Sequence, residues 1–496
     1  MRWIPIAAVL LVLTSCGGDG PPWRDLGGRC ATPRPGIDRQ GTLDDEKKFL
    51  RAWTDDLYLW YSEVPAIDPA PFTSAIDYFA VLRTPVKIGT QPKDRFHFTY
   101  DTAAWLSLSQ SGQELGYPIT WTVVPKDPTL PQLPREWRVA YLEPNPPAML
   151  NGIRRGARII KIDGADMLNA VDQASVNTLN AGLFPAAAGE QHTFRLEDYN
   201  TGAQQDFTLT AQTVITNTVP DVHTITAGMD TVGYMRFTDH LKTAEKALAD
   251  GINTLNAANG GAGVKDLILD IRYNGGGYLY IASELAYMIA GPTRTSGQIF
   301  ERLQFNDKHP PDIDPLSGRP FSPTPFYNTT TAANGGSALP SLGLGRVFIL
   351  TGESTCSASE SIINGLQGVN VQVIQIGHHT CGKPYGFFPQ DNCGTTYFSI
   401  EFQGANAQGF STYPDGFTPG GSGGASFPGC VVNDDFTRAL GDPNESLLYV
   451  ATHYAQTSTC AIPPAGIAPP APSASIAIRS PLREMRLLRR DAAPPR

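Results

Sequence analysis

Apolar residues near the start of the chain recur at the spacing of amphipathic helices. Thr42 and Asp45 are typical of a helix start, and the apolar positions that follow, as far as Tyr61, fall on one helical face. A second helical pattern comes next and ends at Pro85. The two patterns predict a small N-terminal helical domain over residues 41–108.

From about Gly112 the apolar positions alternate, which is the spacing of half-buried strands. A short helix begins at Pro147 between two of these strands. The predicted strands are 138–142, 157–164, 193–196 and 207–209. This pattern predicts a β-rich domain over residues 109–216.

Strand and helix patterns alternate over residues 217–462, as they do in α/β domains. Three apolar strands in this part run directly into polar loops, and open α/β sheets place their active sites at such strand ends. These strands are 267–271, 346–350 and 371–376. Further predicted elements are a strand at 232–237 and helices at 244–255 and 278–289. The chain is therefore predicted to be a multidomain α/β protein.

Composition limits the classes of protein to which the chain can belong. Of its 496 residues, 41% are hydrophobic and 17% are charged, so it can bury cores and is not a disordered polyelectrolyte. The net charge of −9 argues against a nucleic-acid partner, which would require a basic face. The body of the chain contains no apolar run of the ~20 residues that span a bilayer, so a transporter or channel is not expected.

Two stretches rich in Pro, Gly or Ala interrupt these patterns. Residues 301–345 form an insertion between two predicted strands, with a lid and a disordered loop as equal alternatives. Residues 463–496 contain several Pro and Arg residues and are predicted to be a disordered tail.

The N-terminus has the pattern of an export signal. Arg2 precedes an apolar stretch that ends in Leu-Thr-Ser-Cys16, and this order resembles a bacterial lipobox. The resemblance implies that residues 1–16 are a lipoprotein signal, that Cys16 is lipidated and anchors the protein to a membrane, and that residues 17–40 are a tether. Gly17 follows the cysteine, which by the same resemblance favours the outer membrane of the bacterial cell envelope. An ordinary cleaved signal, with Cys16 unmodified or removed, is the alternative.

Six cysteines remain after Cys16. An even number in an exported chain indicates up to about three disulfides. They are scattered and lack the Cys/His spacing of a zinc site, so neither a metal nor another cofactor is predicted. The six are Cys30, Cys356, Cys381, Cys393, Cys430 and Cys460.

The polar loops carry the groups that a serine hydrolase needs. Ser357 lies at a strand-to-helix junction, where free N–H groups and the helix dipole favour a developing negative charge. The three glycines after Asn274 allow the backbone to approach a substrate carbonyl and form an oxyanion hole. Lys383 is the candidate general base, provided that burial beside residues such as Tyr385 and Phe387 lowers its pKa from ~10.4 toward ~7–8.

Two alternative assignments fit the same loops. Ser357 and Glu360 also have the spacing of a helix capping box, which requires no catalysis. The base of a serine site could instead be one of two adjacent histidines, with an aspartate orienting the ring. The histidines are His378 and His379, and the aspartates are Asp270 and Asp391.

Taken together, the motifs resemble those of the C-terminal processing (tail-specific) serine peptidases. The resemblance rests on Asp-Ile-Arg-Tyr-Asn-Gly-Gly-Gly at 270–277, Ser-Ala-Ser-Glu at 357–360 and Gly-Lys at 382–383, with Tyr-Leu-Trp-Tyr at 58–61. It implies a crotonase-like fold for the peptidase domain, 217–462.

The same resemblance assigns roles to individual residues. Ser357 would be the nucleophile and Lys383 the base, with Glu360 supporting the loop or the lysine. The N–H groups of Ala358 and Gly276 would form the oxyanion hole. Many family members carry Gln where this chain has Phe387, so a dyad without that third partner is expected.

Residues 147–164 resemble the helix–turn–strand run of a PDZ domain, although Ala157 stands where such domains usually carry Asp. The resemblance places the carboxylate-binding loop at Gly116, Tyr117 and Ile119. It implies that the domain 109–216 binds extended peptide ends by strand addition.

The sequence therefore predicts a serine endopeptidase of the cell envelope that cleaves unfolded or C-terminally exposed proteins. Its partners would be protein or peptide substrates and, through the lipid anchor, a membrane. A non-catalytic peptide- or ligand-binding lipoprotein on the same fold and a Ser–His esterase are the alternatives. Cys356 and Cys381 flank the nucleophile and base, so a disulfide between them is conceivable, and Cys381–Cys393 is an equally good local pairing.

Overall fold

The protein is described by a computed structural model, and its helices and strands confirm the multidomain α/β fold class. The residues described are 23–89, 91–125, 135–170, 172–310 and 312–463, with the backbone of 476–478 and 486–488. The predicted signal and Cys16 lie outside them. Within these residues, helices long and apolar enough to cross a membrane are absent.

The predicted N-terminal helices are present, and they bury an aromatic core. The hydroxyl of Thr42 accepts the N–H of Asp45, whose carboxylate accepts the N–H of Thr42, so a capping box begins the first helix. The rings of Trp53 and Phe79 stack with their centres 6.0 Å apart. The helices of this part are Leu43–Leu57, Ala75–Val81 and Thr102–Ser111.

Residues 23–40, predicted to be part of a tether, are instead folded onto these helices. Trp23 is buried, and its ring lies 6.1 Å from that of Phe49. Cys30 forms a disulfide with Cys393, far along the chain. The tether prediction is wrong for these residues, because a buried indole ring and a disulfide both hold the backbone in place.

A second unit is built on an antiparallel sheet, here called the middle sheet. A core of its own, which includes Phe194 and Ile162, lies between this sheet and the helix Gln173–Leu183. The short helix predicted at Pro147 is a single 3₁₀ turn, Ala148–Leu150. The strands in order are Gln204–Thr210, Gln191–Glu197, Arg158–Ile162, Arg135–Leu142, Ile119–Pro125 and Ile476–Ile478, with Ala165–Asp166 paired to Arg158–Ile162.

A six-stranded sheet, here called the main sheet, carries the polar loops. In order, its strands are Asp221–Ala227, Asp230–Arg236, Asp266–Asp270, Arg346–Thr351, Gln372–Gly377 and Gly429–Val431, and all pairs except the first are parallel. Helices Ala244–Gly261, Leu279–Ala290 and Ala358–Gly368 cover one face, and Ser446–Thr457 covers the other. Alternate residues of one strand enter different cores, with Leu267 and Leu269 on one side and Ile268 on the other.

The insertion 301–345 packs against the helix Leu279–Ala290. Ser283 of this helix donates from Oγ to the carbonyl of Pro325 at 2.6 Å, and the next residue, Phe326, is buried. Of the two alternatives predicted for this stretch, disorder is therefore wrong for its described residues.

Two segments of the tail 463–496, predicted to be disordered, form strands. Ile476–Ile478 joins the edge of the middle sheet, and Arg486–Leu488 pairs in parallel with Gly276–Tyr278. The prediction is wrong for these segments, because unpaired edges of two folded units offer partners to their backbone groups.

Candidate active site

The ends of three neighbouring parallel strands of the main sheet bring the predicted site residues to one edge. The carbonyl oxygen of Asn274, in the loop after the first strand, accepts the N–H of Cys356 at 3.2 Å and the hydroxyl of Ser359 at 3.0 Å. The glycine-rich turn and the serine loop are therefore hydrogen-bonded to each other. The three strands are Asp266–Asp270, Arg346–Thr351 and Gln372–Gly377.

Ser357 has a strained backbone conformation. It immediately precedes the helix Ala358–Gly368, with φ 57° and ψ −119°, and it is completely buried. Such a conformation costs of the order of 1–3 kcal/mol for a residue with a Cβ atom, and it persists where the surroundings enforce it. Strain at a buried serine beside a glycine-rich turn suits a nucleophile held ready for reaction.

We expect Ser357→Gly to be more stable than Ser357→Ala. Both variants lack the hydroxyl, but only glycine adopts a positive φ without a steric cost. The free energy of unfolding of the glycine variant should be higher by about 1 kcal/mol, measured by chemical denaturation. Equal free energies for the two variants would show that this φ stores no strain.

The carboxylate of Glu360 connects the serine loop with the lysine loop. Its Oε2 accepts the N–H of Ser357 at 3.0 Å and the N–H of Lys383 at 2.8 Å, and its Oε1 accepts the N–H of Gly382 at 2.9 Å. Glu360 is completely buried; burial raises its pKa, and these hydrogen bonds oppose the rise. Because one carboxylate binds both backbones, it fixes the two loops relative to each other.

Lys383 is buried among aromatic rings. Its Nζ lies 4.1 Å from the ring centre of Phe387 and 5.1 Å from that of Phe96. Burial holds the pKa of Lys383 well below that of an ordinary lysine, although the charges of Asp94 and Glu360 oppose part of the shift. A lysine that loses its proton readily can serve as a general base.

Asn274 and His240 hold the glycine-rich turn. The Oδ1 atom of Asn274 accepts the N–H of Gly276 at 3.0 Å and also contacts Nδ1 of His240 at 3.0 Å. Since an amide oxygen only accepts, Nδ1 carries the proton of the imidazole. Burial lowers the pKa of His240 to about 3, so the ring is neutral. The N–H of Gly276, predicted to face the oxyanion, is therefore already bound to Asn274.

The N–H of the next residue, Gly277, lies on the other edge of this short strand. His240 donates its N–H to the carbonyl of Gly276 at 3.1 Å and accepts the N–H of Tyr278 at 2.9 Å. Backbone groups alternate along a strand, so those of Gly277 point the opposite way. The oxyanion assignment therefore moves from Gly276 to Gly277. Ala358 keeps its assignment, since the first N–H of a helix has no intrahelical partner.

The disulfide Cys356–Cys381 joins the residue before Ser357 to the lysine loop. Cys393 pairs with Cys30, so the predicted alternative Cys381–Cys393 is wrong. The third disulfide is Cys430–Cys460. Ligand atoms of Cys356, Glu360 and Cys381 lie within 4.8 Å of one another, but the bonded sulfurs leave no thiolate for a metal ion.

The alternative base residues are not assembled into a serine site. Nε2 of His378 lies 2.7 Å from Oδ1 of Asn433, and the half-exposed His379 lies 3.4 Å from Glu353. Asp270 and Asp391 were the aspartates predicted to orient a histidine. They bind Arg272 and Arg34 instead.

Of the residues predicted to form a carboxylate-binding loop, Gly116 and Tyr117 precede the strand Ile119–Pro125, and Ile119 is its first residue. The ring of Tyr117 lies in the core between the middle sheet and the helix Gln173–Leu183, and its hydroxyl donates to the carbonyl of Gly182 at 3.0 Å. Ile119 is buried in the same core, whereas the space beside Gly116 is open. The two buried side chains therefore have a packing role, which leaves the backbone to contact a ligand.

Three residues at the site were missed in the sequence: Asp94, Phe96 and His240. The first two come from the helical domain, whose strand Phe98–Asp101 pairs with Thr395–Phe398 of the peptidase part. Proximity across such a sequence separation leaves no signal in a single chain. For His240 the sequence did contain a signal, because this residue follows the predicted strand 232–237 just as the other polar loops follow their strands.

Two family models match parts of the chain that contain these residues. Residues 231–388 match the model of peptidase family S41, and residues 45–100 match the peptidase S41 N-terminal domain. The first range contains Ser357 and Lys383, and the second contains Asp94 and Phe96. No curated protein matches the chain.

Solved structures resemble the chain to different degrees. A candidate S41 protease from Bacteroides fragilis NCTC 9343 has a TM-score of 0.59 at 19% identity, over 83% of this chain and 97% of that chain. The photosystem II D1 C-terminal processing protease has a TM-score of 0.43 at 17% identity, over 77% and 92%. Mature CPAF complexed with lactacystin has a TM-score of 0.38 at 12% identity, over 78% and 93%. On these family matches, residues 231–388 are a peptidase family S41 domain and residues 45–100 an S41 N-terminal domain, and the protein is a serine-type peptidase.

Proposed function

We propose that this peptidase cuts its substrates with a Ser357–Lys383 dyad. The observation that carries the proposal is the Glu360 carboxylate, which binds the N–H groups of both residues and so fixes the two loops side by side. Burial of the ammonium beside two rings supplies a reason for Lys383 to be neutral.

The chemistry follows from these positions. Neutral Lys383 accepts the proton of Ser357 Oγ as that oxygen attacks the scissile carbonyl. The N–H groups of Ala358 and Gly277 stabilise the oxyanion, and the dipole of the helix Ala358–Gly368 adds to them. The lysine then gives its proton to the leaving amine, and a water molecule hydrolyses the acyl-enzyme by the same route.

The proposed substrates are unfolded or C-terminally exposed proteins of the cell envelope. Three disulfides among the described residues suit an oxidising compartment. The lipobox-like sequence before Cys16 supports export and lipid anchoring. The strand Ile119–Pro125 offers a sheet edge of the kind that binds extended peptides, as a PDZ domain does.

The pH dependence of kcat/KM on a casein-like substrate tests the dyad. Only the neutral amine accepts a proton, so activity should fall as the pH drops through the pKa of Lys383. Because burial lowers that pKa, the midpoint should lie well below the ~10.4 of a free lysine.

Lys383→Arg is the matched control. A guanidinium keeps its proton throughout this pH range, so this variant should be inactive at every pH tested. A midpoint near that of free lysine, or full activity of the arginine variant, would exclude Lys383 as the base.

A further inference from the structure

The C-terminal tail contacts two strands that a peptide substrate would be expected to use. Residues Ile476–Ile478 add antiparallel to the strand Ile119–Pro125, with Ala477 opposite Thr122. They extend the middle sheet by one strand at its edge. This is strand addition, the mode by which extended peptides bind to sheet edges.

The second segment lies at the active site. Arg486–Leu488 runs parallel to Gly276–Tyr278, with Leu487 opposite Gly277. The other edge of the glycine strand is occupied by His240, so the tail takes the edge toward which the Gly277 N–H points. That N–H is one of the two donors assigned to the oxyanion.

The glycine strand is in direct contact with the nucleophile. A Cβ atom on Gly276 would lie 2.9 Å from Cβ of Ser357 and 2.9 Å from the N atom of Ala358. Paired strands are about 4.8 Å apart, so the tail backbone lies about that distance from the glycine strand. Gly276 of that strand is the residue that packs against Ser357. The tail is therefore paired with the strand that carries the Gly277 N–H and that touches the nucleophile loop.

We infer that the tail is a substrate of the same molecule's active site, and that the enzyme removes its own C-terminus by cutting near residues 486–488. This inference rests on the proposed Ser–Lys function. Ser357 Oγ bonds to a tail carbonyl carbon as the peptide C–N bond breaks, and the serine proton passes through Lys383 to the new amine. One water molecule then hydrolyses the ester, returns a proton to the serine and leaves a new carboxylate on the shortened chain.

The order of the two tail segments along the chain determines on which side of the middle sheet contact the cut falls. The segment on the middle sheet comes before the segment at the active site in sequence. The middle sheet therefore holds an internal stretch of the tail, and the bond to be cut lies downstream of it. The released fragment would be the part of the chain downstream of the cut, which includes Arg496.

The test is intact-mass measurement of the full chain beginning at residue 17, incubated over time. The wild-type protein should lose C-terminal residues, and Ser357→Ala should keep all of them. Casein turnover is measured on the same samples. A wild-type enzyme that degrades casein yet keeps its whole tail would overturn the inference and leave the proposed function intact. A wild-type protein that neither degrades casein nor loses its tail would count against the proposed function itself.

Tail variants test whether strand pairing directs the cut. Leu487→Pro combined with Leu488→Pro removes two N–H groups and fixes φ near −65°, away from the ~−120° of a parallel strand. Trimming should slow at least tenfold, with an unchanged unfolding midpoint showing that the enzyme is folded. Ala492→Pro, which follows the paired segment, is the control and should be trimmed at the wild-type rate. Equal rates in the double variant and the control would overturn the inference.

Dilution separates self-cleavage from cleavage of neighbouring molecules. A cut within one molecule has a first-order rate that a tenfold dilution leaves unchanged. A rate constant that falls tenfold on dilution would overturn the intramolecular assignment.

Discussion

Lys383→Met should lower kcat/KM by about 10⁴-fold or more while making the folded protein more stable at neutral pH. The activity falls because the serine loses its proton acceptor. The stability rises because methionine fills a similar volume beside Phe96 and Phe387 without a buried amine.

The stability gain should depend on pH with a definite sign. The pKa of Lys383 is lower in the folded protein than in the unfolded chain, so between those two values the unfolded chain binds more protons. Wild-type stability therefore rises with pH across that window, up to the unfolded value near ~10.4. The advantage of Lys383→Met, measured as the difference in Tm, should be larger at neutral pH than at alkaline pH and shrink toward pH ~10.

Lys161→Met is the matched control, because Lys161 is exposed on the middle sheet. The same substitution there should leave kcat/KM unchanged and move Tm little. A Lys383→Met protein that kept its activity, or that unfolded more easily than wild type at neutral pH, would contradict a buried neutral base.

Gly276→Ala should lower kcat by at least about 10²-fold and the free energy of unfolding by about 1–3 kcal/mol. Gly276 has φ +101°, and an added Cβ would lie 2.8 Å from the carbonyl oxygen of Cys356 as well as 2.9 Å from Ser357 Cβ. Both neighbours belong to the nucleophile loop, which must shift to make room. A shift of a few tenths of an ångström displaces the serine relative to the oxyanion donors.

Gly164→Ala separates this clash from the cost of a positive φ alone. Gly164 has φ +86° with open space around it, and it lies in the turn between the strands Arg158–Ile162 and Ala165–Asp166 of the middle sheet. This variant should lose about 1 kcal/mol of stability, measured by denaturation, and keep its kcat. Equal loss of kcat in the two variants would show that the contact between Gly276 and the nucleophile loop has no role in catalysis.

The apolar patterns alone predicted the elements that matter for the site. Strands such as 267–271 and 346–350 are short, mostly apolar and followed by Gly- or Ser-rich loops, so their type and their ends could be predicted locally. Parallel pairing then brings those ends together whatever the loops contain. This is why Ser357 and Lys383 could be chosen from the sequence alone.

Other features depend on contacts between distant parts of the chain. Asp94 reaches the lysine pocket only because the helical domain pairs with Thr395–Phe398. The choice between Gly276 and Gly277 as the proposed oxyanion donor depends on the amide of Asn274 and the backbone of His240, which the local sequence does not place. The ordered segments of the tail were missed because their composition is that of a disordered chain, and only sheet edges elsewhere give them partners.

The disulfide between Cys30 and Cys393 has a consequence for the integrity of the molecule. It closes a covalent ring across a sequence separation of 363 residues, which includes the nucleophile and the base. A backbone break at one point inside that ring converts a closed loop into an open one without separating two pieces. A nicked molecule would keep its full mass under non-reducing conditions, apart from one added water, and would separate into fragments only when the disulfides are reduced.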